Sequence, residues 1–485
     1  MATTSTSVEE AALAPAEAGF PVELRPRAGR PWSVKLVAVG GGAAAVWLAV
    51  FVPYFSQRPF TGAGLAAVTV VTTIWTAALR TAFAASPGTI GTGLPAAIGS
   101  FTGLVAVGAI DSWFPGLHLE PIALVVIALG VWASAGTWEW FVRHTSVGRR
   151  SVLVVGTDEL ATVVAEEMGR GSASRFVLVG RVDAEQPTGV TGAVPRLGGL
   201  TELAAVVEAQ RPDIVVLTDE RTYALAVDRL IDIPGAGFRV AGLASFFEYA
   251  FGRVPLPQLT PAWFMGVLHL RQPVHARWSK RVFDVFVASL GLLLALPLLP
   301  VIAFLVWRTH GPIIYRQTRL GEGGRPFTIY KFRTMVPDAE TSGGPQWATE
   351  HDQRATPIGR FLRRTHLDEI PQFWNVLKGD MSIVGPRPER PEFVEKLETA
   401  LPFWNRRLLI KPGATGWAQI SSCYPLDCAS TAEKLSYDLW YIRHRSLAVD
   451  VAICLKTAGL VLCSLVPERV WTRRHLARPG RGAGL

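Results

Sequence analysis

Cysteine is scarce in this chain, with four in 485 residues. Cys423, Cys428, Cys454 and Cys463 form no CxxC pair and have no histidine at zinc spacing. That excludes a zinc module and leaves them as reduced, structural thiols. Charge is also sparse: 18% of residues are Asp, Glu, Lys or Arg, against 49% hydrophobic, with a mean hydropathy of +0.28. Soluble domains carry about 25% charged residues, so the composition points to a membrane protein. The charge present leans one way, to a net +9. A greasy, basic chain suits anionic lipid or phosphate partners. No nucleic-acid partner is expected, because zinc, helix-turn-helix and RNP signatures are all missing. A secretory signal is missing too, since the first apolar run starts late and no A-x-A site follows it.

The length predicts two or three domains. Residues 1–31, rich in Ala, Thr, Glu and Pro without hydrophobic periodicity, read as a disordered cytosolic tail. Four apolar segments follow within 32–145, at Val34–Tyr54, Gly62–Leu79, Leu94–Ile110 and Pro121–Phe141. Each approaches the roughly 20 residues that cross a bilayer core. Arg25, Arg27, Arg30 and Lys35 precede the first and Arg143, Arg149 and Arg150 follow the fourth, whereas Asp111–Glu120 holds no Lys or Arg. The positive-inside rule then puts both ends in the cytoplasm. The segments lack central charges and read as an anchor rather than a pathway.

Residues 149–265 alternate strand and helix patterns, starting with the apolar run Ser151–Val155 and Gly156 and continuing through Phe176–Val182 and Ile214–Leu217. This predicts a parallel, Rossmann-like α/β domain. Its fingerprint is damaged: of G-x-G-x-x-G only Gly156 survives, and Asp158 and Glu159 would repel a pyrophosphate at the helix start. A structural or regulatory role follows. The alternative, a membrane-anchored nucleotide-sugar dehydratase or epimerase using this domain, needs a Tyr-x-x-x-Lys pair, and no tyrosine here has a lysine four residues later.

The final domain, 277–475, opens with the basic cluster Arg277, Lys280 and Arg281, then an apolar segment at 281–308 interrupted by Pro297 and Pro300. Proline removes an amide and frees a carbonyl one turn earlier. With Lys280 and Arg281 on one flank and Arg308 on the other, the expectation is a re-entrant helical hairpin rather than a fifth span. Alternating residues over Gly311–Gly321 and Phe327–Met335 suggest strands bearing Arg316, Arg319, Lys331 and Arg333. Arg360, Arg363 and Arg364 share a helix face, a like-charge cluster that an anionic ligand would relieve. Asp368 has two readings: an N-cap for the helix that follows, or a nucleophile toward phosphorus. Glu369 beside it can offer oxygen to Mg2+. Residues 476–485 read as a flexible tail.

The stretch from Lys280-Arg-Val-Phe-Asp284 through Lys331–Met335 and Leu367-Asp-Glu-Ile-Pro-Gln372 resembles a known family. Asn375–Asp380, Met381–Glu389, Lys411–Gln419 and Asp438–Tyr441 extend the likeness. The family is the bacterial polyprenyl-phosphate hexose-1-phosphate transferases that prime exopolysaccharide, capsule or O-antigen synthesis. Phe246-Phe-Glu248 and Gly252-Arg-Val-Pro255 resemble its long form, with four N-terminal spans and a Rossmann-like, CoA-binding-like domain. The resemblance implies a four-helix transmembrane bundle, the α/β domain, and a re-entrant helix on a mainly helical α+β cytosolic catalytic domain. It implies that Asp368 attacks the sugar-bearing phosphate of a UDP-sugar (glucose or galactose), that UMP leaves, and that polyprenyl phosphate takes the sugar phosphate. Glu369 and Asp368 would hold Mg2+, and Gln317, Arg319, Lys331, Arg333, Arg363, Arg364, Arg387 and Glu389 would bind substrate. It also implies an inner-membrane location with the catalytic domain facing the cytoplasm, and allows a homodimer. Residues 1 to about 265 are expected to be dispensable for the chemistry.

Overall fold

The computed structural model describes residues 32–56, 58–85, 93–113, 120–144, 149–169, 176–183, 193–218, 220–231, 233, 237–259, 263–264, 274–337, 352–421 and 428–464. The expected tails, 1–31 and 476–485, lie outside them, as do Arg25, Arg27, Arg30 and Cys423. The chain forms two units, one of Glu139–Phe246 with the chain up to Gly41, the other of Gly42–Trp138 with Phe247–Leu485.

Four helices open the chain: α1 (Trp32–Phe55), α2 (Gly62–Ala85), α3 (Gly93–Trp113) and α4 (Pro121–His144). Val50, Val68, Trp75, Val107, Ile127 and Val131 interlock in one buried apolar cluster. The close approach of α3 to α2 requires glycine: a Cβ at Gly99 would lie 2.7 Å from the Leu79 Cα. Trp75, fully buried, donates its indole N–H to the Ser100 carbonyl at 3.0 Å, which matches its one polar group. Outward, Val70, Phe101, Ile122 and Leu129 stay exposed, an arrangement suited to lipid. Gly62–Arg80 and Pro121–Val142 are long and apolar enough to cross a membrane, while Gly41–Phe55 and Pro95–Asp111 are shorter apolar helices. The chain is a membrane protein. Helix α2 runs past the expected end at Leu79 and takes in Arg80.

The α/β unit holds β1 (Arg150–Val155), α5 (Asp158–Gly169), β2 (Phe176–Asp183), β3 (Arg196–Gly199), α6 (Leu203–Gln210), β4 (Ile214–Leu217), α7 (Glu220–Ile231) and β5 (Arg239–Gly242). The sheet order is β3-β2-β1-β4-β5 with every pair parallel, the doubly wound order. Continuous burial of Val152–Val155 and Ile214–Leu217 explains why these strands read as unbroken apolar runs. The acid at the start of α5 is matched: Asp158 pairs with buried Arg181 at 2.9 Å, and Asp183 takes Arg181 at 3.4 Å and Arg196 at 2.6 Å. A carboxylate and its ion pairs thus occupy the helix end where a dinucleotide fold seats pyrophosphate.

This unit ends earlier than the expected boundary at 265. Helix α8 (Leu243–Phe251) straddles the division, and residues from Phe247 onward belong with the second unit. The reason is bonding: Glu248 and the backbone at Gly252 and Val254 are tied to residues between 417 and 444.

The rest of the second unit runs α9 (Val274–Ala295), α10 (Leu299–Trp307), β6 (Ile314–Leu320), β7 (Pro326–Phe332), α11 (Pro357–Arg364), α12 (Gln372–Lys378), β8 (Ser382–Val384), α13 (Pro391–Ala400), β9 (Gly413–Thr415), α14 (Trp417–Ser421), α15 (Cys428–His444) and α16 (Leu447–Ser464). It is mainly helical, with two small two-stranded sheets, β6-β7 antiparallel and β8-β9 parallel. Helices α9 and α10 meet at a 66° bend. Pro297 sits in the three-residue break and Pro300 in the first turn of α10, where a missing amide costs nothing. Freed carbonyls at the break find partners: the Leu298 amide donates to Ala295 O at 2.8 Å and Leu296 to Leu293 O at 3.3 Å.

Candidate active site

Three elements converge on one short turn. Leu367–Glu369 form a single 3-10 turn entered through His366, whose φ of 57° is left-handed. Ile370 behind it packs with Leu362 of α11, Phe332 of β7 and Ala295, Ile302 and Val306 of the bent helix pair. Burial of a side chain such as Leu362 contributes about 1.5–3 kcal/mol, so the turn rests directly on the apolar pair. Asp368 is buried but caps nothing: α12 begins at Gln372 behind Pro371, with no side-chain cap bond. The capping reading is thereby excluded.

Strand register delivers the cations. In β6–β7, Tyr315 faces Lys331, Gln317 faces Ile329 and Arg319 faces Phe327, so Gln317, Arg319 and Lys331 share a sheet face. Buried Asn375 clamps β7 to α12, donating to Thr328 O at 2.7 Å and accepting the Tyr330 amide at 3.1 Å. Lys331 Nζ then reaches Glu369 Oε1 at 2.6 Å, and Arg387 Nη2 reaches the same oxygen at 2.8 Å. Arg387 is held by its neighbours Pro386 and Pro388, while Arg319 donates to the Pro388 carbonyl at 3.2 Å and to Gln317 Oε1 at 2.7 Å, and lies 3.8 Å from Glu389.

The two carboxylates respond oppositely. Burial, then the charge of Glu369, pushes Asp368 up to about 6, against the pull of Lys331, Arg387 and Arg363. Burial acts on Glu369 as well, but Arg387 and Lys331 outweigh it and hold this carboxyl well below the usual range. Burial lowers Lys331, and Glu369 raises Arg387. Glu369 is thus held ionised beside two cations, while Asp368 has no ion pair among the described residues and its carboxyl is pushed up.

Not every expected phosphate contact is here. Arg333 spends its donors elsewhere, on Pro312 O at 2.8 Å, His310 O at 3.2 Å, Val306 O at 3.3 Å and Thr309 Oγ1 at 2.8 Å. Three of these four acceptors lie in the turn after α10, so Arg333 braces that turn. Arg363 donates to Thr334 Oγ1 at 2.9 Å, Arg360 to Ala355 O at 2.8 Å, and Arg364 is exposed. The three arginines of α11 therefore diverge, and only Arg363 bears on Asp368. Gln317 and Glu389 serve Arg319 rather than the carboxylate pair.

Sequence reasoning left Arg407 out. It donates from Nε to Asp438 at 2.7 Å and from Nη2 to the Arg387 carbonyl at 3.1 Å, and stacks over Trp404 at 4.3 Å. Asp438 lay in a quoted motif, yet nothing local links it to a residue 31 positions away. Lys280 and Asp284 of the opening motif are likewise internal struts. Lys280 bridges Asp284 at 2.9 Å and Asp450 at 2.8 Å, and Arg281 donates to the last carbonyls of α12, Val376 and Leu377, at 2.6 Å each.

Residues 275–464 match the bacterial sugar transferase family profile. An Escherichia coli K12 relative, UDP-glucose:undecaprenyl-phosphate glucose-1-phosphate transferase, is 32% identical over 349 residues, 71% of this chain and 74% of that protein. The chain belongs to the bacterial sugar transferase family. This sugar transferase is also 53% identical over 130 residues to a putative undecaprenyl-phosphate N-acetylgalactosaminyl 1-phosphate transferase of Bacillus subtilis, 27% of this chain and 72% of the relative. A UDP-N-acetylgalactosamine-undecaprenyl-phosphate N-acetylgalactosaminephosphotransferase of Aeromonas hydrophila is 37% identical over 269 residues. That match spans 55% of the sugar transferase and 61% of the relative's length.

Proposed function

We propose that the protein transfers a hexose 1-phosphate from a UDP-sugar to a polyprenyl phosphate at the cytoplasmic face of the inner membrane. The observation that carries this is the split pair: a buried Asp368, unpaired among the described residues, beside a Glu369 locked to Lys331 and Arg387. An Asp368 oxygen attacks the phosphorus that bears the sugar, the bond to UMP breaks, and UMP leaves with the electron pair. The lipid phosphate oxygen then attacks the same phosphorus, and the Asp368 carboxylate departs unchanged. Arg387 and Lys331, already aimed at Glu369, steady the phosphate charges.

Mg2+ fits the donor set. No group of three His, Cys, Asp or Glu that could hold a metal occurs among the described residues. Mg2+ does not need one, since it is held by one or two carboxylates plus substrate phosphates. Both cations sit on Glu369 Oε1, which leaves its other oxygen and Asp368 to hold the ion. Bound there, Mg2+ supplies neutralisation of the diphosphate charge.

Two further points belong to the proposal. Helices α9 and α10 form a re-entrant hairpin, supported by the anchoring of both limbs on one body: Arg281 ties the first to α12 and Arg333 ties the second to β7. The sugar is glucose or galactose, of which the long match to the E. coli protein supports glucose. The test is UMP release by purified full-length protein with polyprenyl phosphate, Mg2+ and a panel of UDP-sugars. Release with UDP-glucose or UDP-galactose is expected. Preference for an acetamido sugar would overturn the sugar assignment, and no release with any donor would overturn the reaction.

A further inference from the structure

The segment ahead of the family-matched stretch is bonded into the catalytic unit more heavily than a linker needs. Glu248 is buried, and its Oε1 accepts the Trp263 indole N–H at 2.6 Å and the Arg443 guanidinium at 2.9 Å. Its Oε2 lies 3.3 Å from His444 Nε2, and its backbone carbonyl accepts the Trp440 indole N–H at 3.0 Å. Farther along, Gly252 O accepts the Trp417 indole N–H at 2.7 Å, Arg253 lies 3.4 Å from Glu433, and the Val254 amide donates to Ser436 O at 3.2 Å. Phe264 stacks on Phe403 at 4.5 Å, at the entry to the 3-10 turn Trp404–Leu409.

These contacts fall on α15, on the entry residue of the Trp404–Leu409 turn and on Trp417 of α14. Helix α15 and that turn carry Asp438 and Arg407, the pair that fixes the Arg387 carbonyl. Resting on the transfer reaction proposed above, we propose that residues 247–259, with Trp263 and Phe264, are a positioning strap for Arg387, acting through α15 and Arg407. The segment touches no reacting atom. Its effect is to keep α15 and the Arg407 turn in one register, so that the Arg387 fork meets Glu369 and the substrate phosphates. The catalytic module of this chain then begins near Phe247, and residues up to 265 are not all dispensable.

The experiment is a double-mutant cycle in the full-length protein, with Glu248→Ala and Arg407→Lys, reading kcat and KM for UMP release. Arg407→Lys keeps the charge but loses the fork that spans Asp438 and the Arg387 carbonyl. Glu248→Ala is expected to lower kcat, by up to about 100-fold for a displacement near 1 Å, with KM for the lipid unchanged. The double variant should be no slower than Arg407→Lys alone, because both changes act on one chain of contacts. Losses that multiply, or a wild-type kcat in Glu248→Ala, would overturn the strap. Should Glu248→Ala fail to fold, Trp417→Phe, which removes one bond to Gly252, takes its place in the cycle. Backbone hydrogen exchange over residues 404–409, faster in the variant than in wild type, reads the same contact without activity. Wild-type protein that releases no UMP would overturn the transfer reaction, while the exchange result would still decide the strap.

Discussion

Asp368 and Glu369 are neighbours in one turn, yet their surroundings drive them apart, and the difference sets the pH behaviour. In the proposed transfer Asp368 must be ionised to attack phosphorus, and its carboxyl is pushed up to about 6. Transfer should therefore fall about tenfold per pH unit below 6, read from the pH dependence of kcat/KM for UMP release. A rate unchanged between about pH 5 and 7 would contradict the assignment. Stability runs the other way: a carboxyl raised above its ordinary value of 3.8 costs stability where it is ionised, and that cost disappears as pH falls through 6 toward 4. Asp368→Asn resembles the protonated form and removes no cap. It should abolish turnover and any covalent sugar-phosphate adduct while leaving the thermal unfolding temperature at or slightly above wild type. Loss of folded protein would instead mark Asp368 as structural.

At the scale of elements, arginines from one basic motif set divide into different trades. Arg333 is buried and braces the turn after α10, whereas Arg387 is half-exposed and meets Glu369. Arg333→Ala should destabilise the fold by at least about 1.5–3 kcal/mol, the worth of a hydrogen bond to a charged group, visible as a lower unfolding temperature in detergent. Arg387→Ala should keep its unfolding temperature and lose kcat. Equal effects of the two in both measurements would refute the division. The sequence made the strands, the broken apolar pair and the parallel sheet legible, because hydrophobic period, proline and basic flanks are local signals. It showed Lys331 and Arg387 as cations but not that both converge on Glu369, which depends on strand register and the Asn375 clamp. Nor did it separate Arg333 from Lys331, two residues apart on the same strand pattern, since the strand ends at Phe332, between them. The role of residues 247–259, Trp263 and Phe264 was hidden for the same reason: their partners lie far downstream, from Phe403 to His444.

For the whole molecule the decisive matter is sidedness. Single cysteines at Arg277 and Arg325, in a background without native cysteines, flank the bent pair. A re-entrant hairpin predicts that membrane-impermeant reagent treats the two alike in intact cells, and labelling of Arg325→Cys alone would show a crossing instead. Pro297→Leu with Pro300→Leu should straighten the pair and lose activity by misplacing the catalytic turn. The short second limb has one more consequence. Nine residues of α10 rise only about 14 Å, under half the roughly 30 Å of a hydrocarbon core. In the proposed re-entrant hairpin, a wedge that penetrates a single leaflet would have no far edge to match, so its depth would be set by the headgroups on one side. Hydrophobic mismatch, which tilts or strains a full span when acyl chains lengthen, would have no purchase on the turn seated on that wedge. Changes in membrane thickness should be felt by α2 and α4 and leave the distance from Asp368 to the lipid phosphates as it was.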